Sequence, residues 1–195
     1  NGAEPPPGAR LETLGAEGIL TLSLVVVPIR HIVSASEDGT ARIWSAKSGE
    51  CLHTLKGHSD VVSSASFSPC GTLVLTASDD RTAKLWGTES GECLRTLEGH
   101  RGIVRAAVFS QDGAWVLTAS GDATAKLWSA ASGECLRTME GHTASVSSAV
   151  FSTDSTLVLT ASDDSTAKLW ETESGERLFT LEGHLGPMRS AAFSP

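Results

Sequence analysis

Thr76–Trp86 reads TASDDRTAKLW, with near-copies at Thr118–Trp128, TASGDATAKLW, and Thr160–Trp170, TASDDSTAKLW. Ser34–Trp44, SASEDGTARIW, is a looser version of the same stretch. The tryptophans Trp44, Trp86, Trp128 and Trp170 recur every 42 residues, and Gly-His pairs keep the same step at His58, His100, His142 and His184. Trp115 falls outside the register. Two landmarks on one period over four units establish an internal repeat. A repeat of this length is one supersecondary unit that buries its apolar faces only by stacking on its neighbours.

Within the second unit the pattern predicts strands at Val61–Phe67, Leu73–Ser78, Thr82–Trp86 and Cys93–Leu97. Ser68-Pro69-Cys70-Gly71, Asp79-Asp80-Arg81 and Glu89-Ser90-Gly91 supply the turn residues between them. No segment carries an apolar period of 3.6 over helical length. LVLTAS at 73–78 lacks polar alternation. A strand reads that way when its sheet is covered on both faces.

Hydrophobic residues make up 40% of the 195, enough for a core. The net charge is -8 and the charges are scattered. No basic stripe of the kind nucleic-acid binders carry stands out, and an acidic surface resists self-association. Ile19–Ile29, ILTLSLVVVPI, is shorter than the ~20 apolar residues of a spanning helix. It contains Pro28 and follows Glu12 and Glu17, not the basic region of a signal peptide. The repeat register makes it a buried strand, so neither membrane nor nucleic acid is expected as a partner.

Cys51, Cys93 and Cys135 share one repeat position, filled by Arg177 in the fourth unit. With Cys70 they form no CxxC pair and no Cys/His cluster at zinc spacing. We expect free thiols, the repeated one at a packing position, with no metal. Free thiols favour a reducing compartment: the cytoplasm, with the nucleus as the alternative. Residues 1–10 read as a Pro/Gly-rich leader or linker, and 11–195 as one repeat segment with units at about 17–58, 59–100, 101–142, 143–184 and a partial 185–195. The chain starts at Asn1 and stops part-way through a repeat, so a fragment is expected.

The Gly-His pairs and the TASDDRTAKLW-type stretches resemble the WD-repeat family of β-propellers, over residues 11–195. The aspartate that follows the family's tryptophan is missing: Ser45, Gly87, Ser129 and Glu171 stand there. The resemblance implies an all-β fold, a β-propeller of four-stranded antiparallel blades. Four complete blades would occupy Ile19–Leu55, Val61–Leu97, Ile103–Met139 and Ser145–Leu181. An outer strand at Leu11–Leu14 and an inner strand at Pro187–Phe193 would share one further blade without its middle strands. Such an open or incomplete ring is expected to self-associate.

The resemblance also implies one structural hydrogen-bond network per blade: His58, Thr76, Asp80 and Trp86; His100, Thr118, Asp122 and Trp128; His142, Thr160, Asp164 and Trp170. Ser78, Ser120 and Ser162 are the weaker hydroxyl candidates. The first unit offers Ser34, Asp38 and Trp44 but has Ala16 or Glu17 where the histidine falls. A buried indole, imidazole and carboxylate each need a partner, and together they satisfy one another.

Serine, histidine and aspartate together invite a hydrolase reading. The constellation occurs three times at one spacing, and the Gly-x-Ser-x-Gly elbow is absent. Asp79-Asp80 and Asp163-Asp164 are turn formers. No phosphate-cradling Gly loop follows a strand. No catalytic residue and no cofactor are expected.

The units differ most just after each Gly-His. On the family's top face, the position five residues past the histidine holds Ser63, Arg105, Ser147 and Arg189, with Thr21 in the first unit. The position before the turn aspartate holds Glu37, Asp79 and Asp163, with Gly121 in the third unit. These are the candidate contacts for a protein or peptide partner. The function expected is a non-catalytic interaction scaffold. The alternative is a recognition propeller appended to a signalling enzyme: a kinase, a nucleotide-driven ATPase or a ubiquitin-ligase subunit.

Overall fold

The computed structural model describes residues 31–194 and two short strands, β1 (Ala9–Arg10) and β2 (Val25–Val26). Every described regular element is a strand. The first large sheet is β3 (His31–Ala35), β4 (Thr40–Ser45) and β5 (Cys51–Lys56). The second is β6 (Val62–Phe67), β7 (Leu73–Ser78), β8 (Ala83–Gly87) and β9 (Cys93–Leu97). The third is β10 (Val104–Phe109), β11 (Trp115–Ser120), β12 (Ala125–Ser129) and β13 (Cys135–Met139). The fourth is β14 (Val146–Phe151), β15 (Leu157–Ser162), β16 (Ala167–Glu171) and β17 (Arg177–Leu181). Each is an antiparallel meander in chain order, one blade per repeat. The fold is an incomplete propeller, with no closed sheet among the described residues.

The turn between the second and third strands sets each blade's register. The residue after the turn aspartate has a left-handed backbone in every unit: Gly39, Arg81, Ala123 and Ser165, with φ of 78°, 72°, 67° and 69°. Non-glycine residues hold that conformation only where the surroundings enforce it. Asp80 does so through Oδ1, which accepts the Thr82 amide at 3.0 Å and the Thr82 hydroxyl at 2.7 Å. In this blade β8 begins at Ala83, one residue after the expected Thr82.

The core lies between blades. Leu75, Ala77, Leu85 and Leu97 of the second blade meet Val104, Val116 and Trp128 of the third. Leu117, Ala119 and Met139 meet Val146, Val158 and Trp170 in the same way. Ile43 and Leu55 meet Val62, Val74 and Trp86. The middle strands β7, β11 and β15 are buried on both faces, as their unbroken apolar runs predict.

Three expectations need correction. Pro187–Phe193 is not a strand. The Met188 amide donates to the Ser162 carbonyl at 3.0 Å, but no described strand lies beside the segment to continue a ladder. Val25–Val26, expected in the inner strand of the first blade, pairs with Ala9–Arg10. The sequence there has Pro28-Ile29-Arg30 in place of a Gly-bearing turn. Leu11–Leu14 and the rest of 19–30 lie outside the described residues. The repeated cysteine is not a packing position, because Cys51, Cys93 and Cys135 are exposed at the start of each outermost strand. Each thiol donates to a carbonyl two residues on, such as Cys93 to Arg95 at 3.5 Å.

Leu97 is fully buried between blades, whereas Leu52 is 43% exposed. Leu97→Ala should therefore cost about 2–5 kcal/mol in chemical denaturation, and Leu52→Ala well under half of that.

Candidate functional site

The four partners of each network come from four places: the loop before the inner strand, the middle strand, the turn after it and the third strand. In the second blade, Trp86 Nε1 donates to Thr76 Oγ1 at 2.9 Å, which lies 2.7 Å from His58 Nε2. His58 Nδ1 lies 2.8 Å from Asp80 Oδ2. The third blade repeats this with Trp128, Thr118, His100 and Asp122 at 2.9, 2.7 and 2.9 Å. The fourth uses Trp170, Thr160, His142 and Asp164 at 2.9, 2.8 and 2.7 Å. Adjacent blades thus carry superposable relays.

The proton positions follow from chemistry. An indole N–H can only donate and a carboxylate can only accept. The carboxylate therefore takes its hydrogen bond from Nδ1–H, and in a neutral ring Nε2 then accepts the threonine hydroxyl. The histidine is then the Nδ1–H tautomer and donates to the aspartate. Burial lowers the pKa of His58, His100 and His142, and outweighs the raising effect of the aspartate beside each. Burial alone would raise the Asp80 carboxyl. Hydrogen bonds from Thr82, His58 and the Ser59 amide outweigh it and hold the group at about 2. Asp122 and Asp164 are likewise pulled well below the usual carboxylate range.

Sequence reasoning missed two members. Thr82, Thr124 and Thr166 each donate their hydroxyl to the turn aspartate at 2.7 Å. The amides of Ser59, Arg101 and Thr143, each following the histidine, donate to its other oxygen at 3.1, 2.8 and 3.0 Å. The Asp-x-Thr spacing, present in all four units, was the available signal. Ser78 serves the turn instead, accepting the Asp80 amide at 3.1 Å. In the first blade Trp44 Nε1 donates to Ser34 Oγ at 2.9 Å and Asp38 bonds Thr40 at 2.7 Å, without a histidine between the two pairs among the described residues.

The variable positions behave differently from one another. The Ser63 hydroxyl donates to the Val104 carbonyl of the next blade at 2.8 Å, a contact between blades. Arg105 Nε donates to Ser145 Oγ at 2.9 Å, also across blades. Ser147, Asp163 and Arg189 come together: Asp163 Oδ1 accepts from Ser147 Oγ and from Arg189 Nη1, each at 3.1 Å. Arg189 is 73% exposed. Glu37 is exposed and Asp79 half-exposed, and neither side chain joins this cluster. Thr21 lies outside the described residues. Among the described residues, no cluster of His, Cys, Asp or Glu could hold a metal ion, and no helix is long and apolar enough to cross a membrane.

Residues 18–45, 49–87, 91–129 and 133–171 match the family model described as WD domain, G-beta repeat. The chain is similar to the WD repeat-containing protein pop1 of Schizosaccharomyces pombe, 55% identical over 38 residues, which are 20% of this chain and 5% of that protein. It is similar to the p21-activated protein kinase-interacting protein 1-like of Danio rerio, 41% identical over 46 residues, 24% of this chain and 12% of the relative. A third relative is the F-box-like/WD repeat-containing protein TBL1X of Mus musculus, 48% identical over 40 residues, 20% of this chain and 8% of the relative. The matches therefore span only a small part of each relative's length.

His100→Ala should destabilise the fold by about 1–3 kcal/mol, since it strands Thr118 and Asp122. His184→Ala, at an exposed position, should change little. The pH response follows from the lowered histidine pKa values. The unfolded imidazole, at 6.5, takes up a proton that the folded one resists. Stability is thus complete above the unfolded pKa and falls as pH drops below it. Melting temperatures recorded from about pH 7 to about pH 5 should decline, and more gently in His100→Ala.

Cys70 offers a separate check. Hydroxyls of Ser68 and Thr72 hold its exposed thiol down at about 7. At neutral pH it should alkylate before Cys51, Cys93 and Cys135, as peptide mapping of iodoacetamide adducts would show.

Proposed function

The chain belongs to the WD-domain, G-beta repeat family, and from that premise we propose that it is a non-catalytic platform binding a protein or peptide partner. The observation that carries this is the division of labour among its polar groups. Histidine, threonine, aspartate and tryptophan are spent on one another inside the second, third and fourth blades, and burial favours the neutral form of each of these histidines between its two partners. Among the described residues these networks leave no histidine nitrogen free to act as a base for the threonine beside it. The polar groups that vary from unit to unit stand outside these relays, Ser63, Arg105 and Ser147 at the start of the inner strands and Glu37, Asp79 and Asp163 in the turns.

The partner surface proposed is the face carrying Arg105, Arg189, Asp79 and Asp163, with Ser63, Ser147 and Glu37 along it. Arg105 engages Ser145 through Nε alone, and its terminal nitrogens make no hydrogen bond among the described residues. Arg189 holds Asp163 in an exposed ion pair, of a kind worth about 1 kcal/mol or less. A partner carboxylate can therefore capture either guanidinium in bidentate fashion. Asp79 and Asp163 suit a basic residue beside it. A peptide segment carrying both charges fits this mixture better than a nucleic-acid backbone. WD-repeat proteins are in general interaction scaffolds. The relative from Danio rerio is named for an interaction with a kinase, and the one from Mus musculus for an F-box-like part beside its repeats. Those names keep the second reading open, a recognition module attached to a signalling enzyme. Four free thiols suit the cytoplasm or nucleus.

Combining Arg105→Ala with Arg189→Ala should lower partner recovery on the immobilised protein by about tenfold or more, with the melting temperature unchanged. Lys126→Ala, on a third strand, is the control. Equal recovery by the arginine variant and the parent would eliminate this face.

A further inference from the structure

The third blade, with a described blade on either side, carries a polar groove of about 360 Å³. Its lining comes from three places. Gly99 and Arg101 lie on the loop before β10, and Asp122, Thr124 and Lys126 on the turn and third strand. Thr138 and Glu140 come from the end of the outer strand and the segment after it. No residue of the partner face proposed above lines it.

Most of these polar groups are engaged. Besides His100, Asp122 accepts the Thr124 hydroxyl at 2.7 Å and the Arg101 amide at 2.8 Å. Lys126 Nζ donates to Thr138 Oγ1 at 2.8 Å. The Arg101 guanidinium and the Glu140 carboxylate are not engaged. Among the described residues neither makes a hydrogen bond, and no ion pair joins the two. Opposite charges that share a groove without meeting stand unneutralised on either side of an open space.

The neighbouring blades do not repeat this. Ser59 and Thr143 stand where the third unit has Arg101. In the fourth blade the chain itself fills the corresponding place. Arg177 replaces the repeated cysteine, and its Nη1 lies 3.3 Å from where a Cβ on Gly141, the equivalent of Gly99, would stand. Lys168 there is buried, whereas its equivalent Lys126 is half-buried. The third unit has the short Cys135 at the arginine's position. A Cβ on Gly99 would meet Trp128 at 3.5 Å and no outer-strand side chain within 4 Å among the described residues. The fourth blade thus shows that this place accepts a charged group, and the third leaves it open.

We propose that this groove binds a small zwitterion of dipeptide length, its carboxylate on Arg101 and its ammonium on Glu140. A guanidinium takes a carboxylate in bidentate fashion, and an ammonium is a compact partner for a single carboxylate. Arg101 and Glu140 do not reach each other, so the ligand's two charges must be held apart. A free amino acid carries both on one carbon, and a second residue lengthens the span by about 3.5 Å. The volume lies at the low end of the range for small-molecule sites, roughly 300–1,000 Å³. The hydrogen bond from the Arg101 amide to Asp122 pins the loop to the third relay. Binding therefore orders two side chains on a fixed backbone, which keeps its entropic cost low.

Titration of the isotope-labelled 195-residue chain with glycylglycine, followed through backbone amide shifts, tests this. The expected result is a saturable shift at Gly99, Arg101 and Glu140, with affinity lowered about tenfold or more by Arg101→Gln. Glutamine keeps the amide that Asp122 accepts, and both Arg101 and Glu140 are exposed, so the variants retain the fold. N-Acetylglycylglycine keeps the carboxylate and lacks the ammonium, and should bind the parent less tightly than glycylglycine. Glu140→Gln should close that gap, because the ammonium then has no partner. No saturable shift at these residues, equal affinity in Arg101→Gln and the parent, or a gap between the two ligands that survives Glu140→Gln would each overturn the proposal.

Discussion

The second, third and fourth blades each hang on one chain of hydrogen bonds, from indole to threonine to imidazole to carboxylate. All four side chains are polar at the tip and sit where water is largely excluded, so each is costly unless partnered. The relay satisfies them in one direction, from a donor-only group to an acceptor-only group. It ties the loop before the inner strand to the middle and third strands. The carboxylate then extends the tie to the turn through Thr82, Thr124 or Thr166. The left-handed turn residues Arg81, Ala123 and Ser165 are held there without glycine. The first blade, without the histidine among its described residues, keeps only the two ends of the relay, and its turn uses Gly39.

The relays position strands within a blade, but apolar packing joins the blades. Every interface is built from the same alternation, aliphatic side chains on one face and valine with tryptophan on the next. The chain therefore behaves as a one-dimensional stack whose stability is shared between units and the contacts joining them. Chemistry is confined by this arrangement. The imidazoles of the three relays lie inside the blades, away from the turns and strand starts that face outward.

Much of the fold was legible because it is periodic. Trp86, Trp128 and Trp170 fixed the unit, and the unbroken run LVLTAS marked a strand covered on both sides. The Thr–His–Asp–Trp assignments came with the resemblance to the WD-repeat family, and each group's need for a partner agrees with them. The threonine two residues past the aspartate escaped notice, since as a β-branched residue beside Ala-Lys-Leu-Trp it reads as the start of a strand. Pro187–Phe193 reads as a strand from its side chains, but strand formation needs a neighbour that no local pattern encodes. The repeated cysteine misled for a related reason: recurrence marks a structural position, and Cys51, Cys93 and Cys135 hold theirs at an exposed edge. The variable positions were the least legible, and three of them lie at the start of the inner strands and not in the loop before them. The repeat shows that Ser63, Arg105 and Ser147 vary, but not that Ser63 and Arg105 bridge to the next blade while Ser147 stays within its own.

The central claim is that the histidines are consumed by the architecture. Long-range proton–nitrogen NMR of the imidazole rings tests it most directly. The relay predicts that His58, His100 and His142 carry their proton on Nδ1 and stay neutral as pH falls through 6.5, where a free imidazole protonates. Rings protonated on Nε2, or imidazolium forms at or above that pH, would contradict the account.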